Sequence, residues 1–189
     1  MADEKKKVDI VQRHQFADYL NVSDDASSED FRLMGTGFTT LNESPNAQTE
    51  TKKYVNEKSS TTTVTEYQTQ FPYESDLIAD EACVTALYKV GRDHLTGSDA
   101  QKDYVRVELW NPIEDSTTRF AARKFVVSVE VSSIEGETDM HITGNLNAVG
   151  DPVEGVFDTS DKTFTTGEDT SSSSGSGSSS GSGSSGSGS

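Results

Sequence analysis

Through much of the second half of the chain, apolar and polar residues alternate. From Tyr104 to Trp110, Val105, Val107 and Leu109 share one side, and Asn111-Pro112 ends the run. From Phe120 to Val131 the shared side carries Phe125, Val127, Val129 and Val131, and Met140 to Asn147 alternates through Ile142, Gly144 and Leu146. A period of two is the signature of a strand with one buried face. Val153–Phe157 and Lys162–Thr165 flank Asp158-Thr-Ser-Asp161 and read as a closing hairpin. This half is β throughout.

The first half is less regular. Val8–Val11 and Phe16–Leu20 are short apolar clusters in a polar stretch, followed by an acidic, serine-rich loop from Asn21 to Asp30. They predict an arm with one or two anchoring points. Phe31 to Leu41 predicts a strand interrupted by Gly35 and Gly37. From Ala47 to Ser60 the chain is polar, and then Thr61, Thr63, Thr65, Tyr67, Thr69 and Phe71 fall on one face of a long strand. Ser75 or Asp76 is placed to cap a helix running to about Val90, with Gly91 as its stop. On that helix Ala79, Cys83, Ala86, Leu87 and Val90 form one stripe, and Leu77, Val84 and Tyr88 a second, offset stripe. One helix among about seven strands predicts a mainly β fold: a β-sandwich or barrel with one flanking α-helix, an N-terminal arm and a long β-hairpin or loop extension. The expected divisions are an arm over residues 1–30, a β-sandwich domain over 31–168, and a Ser/Gly-rich tail over 169–189. That tail has no apolar side chain to offset the entropy of ordering, roughly 1–2 kcal/mol per residue for the backbone.

Charge narrows the function classes. Sixteen Lys and Arg stand against 32 Asp and Glu, a formal net charge of −16. Residues 1–60 hold eight basic and 11 acidic side chains, and residues 61–169 hold eight and 21. Most such surfaces repel a polyanion, which disfavours tight nucleic-acid binding. Cys83 is the single cysteine, so no intrachain disulfide forms, in keeping with a reducing compartment. Neither an apolar signal region nor a membrane-spanning run is present, and no membrane insertion is expected.

Candidate chemistry is sparse. His14, His94 and His141 lack the close spacing of a metal motif. Gly35-Thr-Gly37 opens no helix and is followed by no Gly-Lys-Ser/Thr, so it is no phosphate loop. The acidic runs at Asp24-Asp25, Glu29-Asp30 and Glu135–Asp139 lack calcium-loop spacing. Cys83 lies on the apolar stripe of the helix, as a small core residue does. No cofactor and no catalytic residue is expected.

At Leu33-Met-Gly-Thr-Gly-Phe-Thr-Thr-Leu-Asn-Glu-Ser-Pro-Asn-Ala-Gln48 the chain resembles the major tail protein of phages infecting Gram-positive bacteria. The resemblance continues in order through Thr69–Ile78, Tyr104–Pro112, and Gly150–Asp158 with Lys162–Thr165. It covers most of the chain from His14 to Thr165, and its weight lies in the order and spacing of the four segments. It implies a β-sandwich with a flanking helix, assembled as hexameric rings that stack into a hollow tail tube. It also implies a virion component assembled in the host bacterial cytoplasm. DNA would be only transiting cargo, and the partners would be a tape-measure protein and tail terminator and initiator proteins. Related tubes occur in contractile tails and phage-tail-like bacteriocins.

The residues suit such an assembly. The polar extension from Asn46 to Ser60 is too poor in apolar residues to fold alone and is placed to gain order against a neighbouring ring. Asn46, Lys52, Lys53, Tyr54 and Lys58 are the expected inter-ring contacts, with the lysines facing acidic surface. Leu77, Val84 and Tyr88, on the second helix stripe, are the expected subunit interface. The alternative is a monomeric β-sandwich binding or decoration module, and an enzyme ranks third.

Overall fold

In a computed structural model of the chain, residues 10–25 and 28–167 are described. The Ser/Gly tail expected over 169–189 and Val8–Asp9 lie outside the described residues. The described residues form eleven strands: β1 (Phe16–Asn21), β2 (Phe31–Leu33), β3 (Phe38–Leu41), β4 (Ala47–Lys52), β5 (Thr61–Tyr67), β6 (Gln70–Asp76), β7 (Gln101–Pro112), β8 (Arg119–Glu135), β9 (His141–Ala148), β10 (Val153–Asp158) and β11 (Thr163–Thr166). The helix, α1, is Ala82–Arg92, and short 3-10 turns stand at Arg13–Gln15 and Gly97–Ala100. The fold is mainly β with a single flanking helix, as the alternation predicts.

The main sheet runs β2-β1-β7-β8-β9-β6-β3, all antiparallel. It forks at β8. One edge of this 17-residue strand pairs with β10 along Arg119–Lys124 and then with β9 along Val127–Glu135. At the fork Val149 N donates to Val126 O (2.8 Å). β2 and β3 lie at opposite ends of the sheet, yet only residues 34–37 separate them in sequence. So short a link spans at most about 18 Å, so the sheet must curl to bring its ends together. The single strand expected over Phe31–Leu41 is therefore two strands on two edges, divided at Gly37, whose φ is +86°.

The concave side holds the main core. Leu20, Phe71, Tyr104, Val127, Ile142 and Leu146 are fully buried there, and Phe71 packs on Tyr104 and Phe125 at ring distances of 4.6 and 5.0 Å. A second cluster of Tyr19, Phe31, Val105, Val107, Ala122 and Phe157 covers the other face of β1 and β7. Both faces of β7 are covered, so Tyr104 to Val107 are buried in succession. The arm expected over residues 1–30 does not hold for Phe16–Asn21. That segment is an interior strand between β2 and β7, buried from Ala17 to Asn21.

The helix begins later than the capping pattern suggests. Ser75 and Asp76 continue β6, paired with Ile142 and His141, and Ile78–Asp80 turn the chain into α1. Cys83, Val84, Leu87 and Val90 form the buried stripe, packed toward β8 and β2. Gly91 lies inside the helix, where an added Cβ would stand 2.8 Å from Val131. The left-handed residue that ends the helix is His94 (φ 52°), followed by a bond from Leu95 N to Val90 O (3.0 Å).

Gly144 is a second close approach. Tyr73 lies opposite it in β6 and passes its hydroxyl across to donate to Glu130 O (3.1 Å). An alanine Cβ there would sit 1.9 Å from that carbonyl and 2.6 Å from the Tyr73 hydroxyl. Gly144→Ala is expected to destabilise the chain by about 3 kcal/mol through overpacking, read as a lowered urea midpoint.

Candidate functional site

The candidate site is a surface. β4 and β5 form a separate two-stranded ribbon, and every residue of both strands is exposed. Such a ribbon is marginally stable by itself in water. It holds together by its own ladder and by paired hydroxyls, Thr51 Oγ1 lying 3.0 Å from Thr62 Oγ1. At its base Asn46, with φ 48°, donates from Nδ2 to Gln68 O (3.2 Å) and Gln70 Oε1 (3.1 Å), and Gln68 N donates to Asn46 O (3.3 Å). Asn46 thus clamps the neck of the extension.

The long strand expected from Thr61 to Phe71 is broken at residues 68–69, where the ribbon leaves the body. A register shift between Gln48 and Thr49 places Thr65 as an extra residue. The shift moves Tyr67 off the face of Thr61 and Thr63. Ala47, Thr49, Thr51, Thr62, Val64 and Tyr67 now share one face, and Gln48, Glu50, Lys52, Thr61, Thr63 and Glu66 the other. The first face carries no charge; Val64 and Tyr67 on it are 47% and 64% exposed. The second carries the strands' charges, with Lys52 Nζ 3.0 Å from Glu50 Oε2. Lys53, Tyr54 and Lys58 lie in the exposed tip, where Glu57 N donates to Tyr54 O (3.0 Å), and Val55 beside them is fully exposed. The structure therefore brings Lys52, Lys53, Tyr54 and Lys58 to one end and leaves Asn46 at the other.

The expected helix interface is corrected at Val84. Its side chain is wholly enclosed in the chain's own core, because α1 turns the 83–84–87–90 stripe onto the sheet. Val84 has no area to offer a neighbour. Leu77 and Tyr88 are half-buried against the same core, and the Arg92 guanidinium stands 5.9 Å from the Tyr88 ring.

Two further features join residues far apart in sequence. One is a cleft of about 720 Å³ between the Ser23–Asp25 loop, the end of α1, the Gly97–Ala100 turn and β7. Leu95 and Val126 are its apolar residues, and Asp24, Asp99 and Asp103 are among its acids. Lys89 donates to Asp24 (2.7 Å), and this bond, helped by the charge of Lys102, holds that carboxyl below its usual range. Lys124 Nζ lies 3.1 Å from Asp103 Oδ2 and 2.6 Å from Glu29 Oε1.

The other is a buried ionic group inside the curl of the sheet. Asp18 is 1% exposed and accepts hydrogen bonds from the Tyr104 hydroxyl (2.5 Å) and Arg13 Nη2 (2.5 Å). Arg106 Nη1 lies 3.7 Å from Asp18, and Arg106 Nε lies 3.4 Å from Glu43, which Arg123 also grips through both nitrogens at 2.9 Å. The Arg106 guanidinium stands 5.0 Å from the Phe16 ring centre. Burial first, then the Asp18 carboxylate, pushes the Tyr104 phenol far above its usual pKa.

The three histidines stand on separate elements. His14 is exposed in a 3-10 turn, His94 ends α1, and His141 Nδ1 lies 2.9 Å from Asp76 Oδ1 on the β6–β9 ladder. Among the described residues no group of three or more His, Cys, Asp or Glu is placed to hold a metal ion. Cys83 is buried, burial pushes its thiol up to about 12, and Sγ donates to Arg32 O (3.3 Å). No helix of the described residues is long and apolar enough to cross a membrane.

No protein-family model matches the chain, and no curated protein does. Among solved structures, a chain of the cryo-EM structure of the anti-feeding prophage (AFP) baseplate, 6-fold symmetrised, aligns with a TM-score of 0.43 and 8% identity. The alignment covers 80% of this chain and 97% of that one. A likeness of that size carries no argument about function.

Proposed function

We propose that this chain is a structural subunit that self-assembles into stacked hexameric rings, forming the tail tube through which a phage delivers its DNA. The observation that carries the reading is the β4–β5 ribbon, a formed element whose every strand residue is exposed and whose two faces differ in charge. An exposed two-stranded edge with Val64, Tyr67, Tyr54 and Val55 uncovered is an aggregation hazard unless a partner takes it. The ordered resemblance of four segments to major tail proteins supplies the kind of partner: further copies of the same chain. A ring contact that closes and an axial contact that does not yield a filament of fixed diameter.

In this reading the ribbon makes the axial contact through Lys52, Lys53, Tyr54 and Lys58, while Leu77 and Tyr88 flank a lateral one. The role is structural rather than enzymatic. Tape-measure, terminator and initiator proteins are the further partners, and the site of action is the virion tail. DNA passes without adhering, because a net charge of −16 repels it.

Negative-stain electron microscopy of the purified chain, with tail initiator supplied, tests this. Rings or tubes of constant diameter are expected. A monodisperse monomer that stays so at every concentration, initiator present, overturns the reading in favour of a monomeric binding module.

A further inference from the structure

The ribbon tip and the cleft beside α1 have matching designs. At the tip, Tyr54 and Val55 are 62% and 109% exposed, and Lys53 and Lys58 flank them in sequence with one acid, Glu57, while Lys52 pairs with Glu50. In the cleft, Leu95 and the 40%-exposed Val126 stand among four acids, Asp24, Asp25, Asp99 and Asp103, and two lysines, Lys89 and Lys102, which share Asp24. One surface is an apolar pair with a small surplus of cations, and the other is an apolar floor whose four acids outnumber its two lysines. The tip also lies where the chain's sign is locally reversed, because the body is strongly acidic.

Resting on the stacked-ring reading, we propose that the tip of the β4–β5 ribbon seats in this cleft on a second copy of the chain. Tyr54 and Val55 enter over Leu95 and Val126, and Lys53 and Lys58 meet the surplus acids around them. An aromatic anchor desolvated at the centre, with charges at the rim, is the arrangement that concentrates binding energy in protein interfaces. The uncharged ribbon face, with Val64 and Tyr67, then lies along the neighbour's surface behind the tip. Roughly 20 residues of ribbon match the 20–30 that a specific interface uses on each side. Two different surfaces meet, so the contact is head-to-tail and propagates.

Charge exchange between chains tests the pairing. One variant carries Lys53→Glu and Lys58→Glu; another carries Asp99→Lys and Asp103→Lys; circular dichroism checks that each is folded. Each alone is expected to need about tenfold more protein to associate than the native chain, since like charges then face each other. An equimolar mixture is expected to recover native association, because the acidic tip of one now meets the basic cleft of the other. If both variants assemble like the native chain, or if the mixture recovers nothing, the cleft is not the receptor.

Cross-linking reads the contact directly. An Asn56→Cys chain and a Ser98→Cys chain, joined by a short bis-maleimide, are expected to form heterodimers that an Asn56→Cys and Glu137→Cys pair does not. Tubes from the native chain without that selective cross-link overturn the cleft and leave the stacked-ring reading standing. Selective cross-linking without tubes upholds the contact and removes the ring reading.

Discussion

Asp18→Ala is expected to lower the stability of the folded chain by about 3–5 kcal/mol, the range for breaking a buried charge pair from one side. The carboxylate is 1% exposed and accepts from Tyr104 and Arg13. Arg13 is half exposed and can turn to water, whereas Arg106 cannot, since its side chain is 7% exposed and held among aromatic rings. Arg106 Nε and Nη1 already make no hydrogen bond within the protein, so removing the nearby Asp18 charge leaves a cation poorly compensated in the core. Urea unfolding followed through Trp110 fluorescence measures the loss. The triple variant Asp18→Leu, Tyr104→Phe, Arg106→Met is expected to recover most of it, because an apolar replacement removes the stranded partners together with the lost one. A single variant within about 0.5 kcal/mol of native would mean the group is solvated after all.

This group marks where sequence pattern stops informing. Val105, Val107 and Leu109 share a side, so by alternation Arg106 belongs to the opposite, solvent-facing one. That inference holds for a strand with one covered face, and β7 has two. Asp18, Arg106, Glu43 and Arg123 come from three strands and a loop, and nothing in their spacing announces that a curled sheet brings them together. The alternating runs of β7, β8 and β9 were legible because each period-two pattern is local. The closing hairpin was legible for the same reason.

The misreadings share a cause. Ser75 and Asp76 are good helix caps in isolation, but the ladder to His141 and Ile142 holds them in β6. On a helix beginning near Asp76, Leu77, Val84 and Tyr88 share a stripe, but α1 begins at Ala82, Leu77 lies before it, and Val84 joins Cys83, Leu87 and Val90 on the buried face. At the extension, the polar composition agrees with the exposure of every β4 and β5 residue, and Lys52, Lys53 and Lys58 lie at its far end. The parity of Tyr67 was not recoverable, because the extra residue at Thr65 changes which side chains share a face. A bulge has no strong sequence signal among threonines.

Excising Ala47–Tyr67 and closing the gap with Asn-Gly is expected to leave a folded chain that forms no tube even about 100-fold above the concentration at which the native chain assembles. The cut is set by the neck of the ribbon. Gln68 N already donates to Asn46 O, and Ser44 and Gln70 exchange both backbone bonds below it. Two residues between Asn46 and Gln68 therefore complete a hairpin turn on an existing ladder, and Asn-Gly suits the turn that such a ladder favours. Cutting only Asn46–Ser60 would be a poorer experiment, because it strands β5 without its partner and removes the Asn46 clamp. Every residue of β4 and β5 is exposed, so the excision takes no side chain from the core, and the shorter loop costs less entropy to close. Unfolding midpoints equal to or above the native value, together with loss of tubes by electron microscopy and sedimentation, are the paired results expected. Tubes that persist without the ribbon would move the axial contact to the body of the subunit, and the exposed Val64 and Tyr67 would then need a different partner.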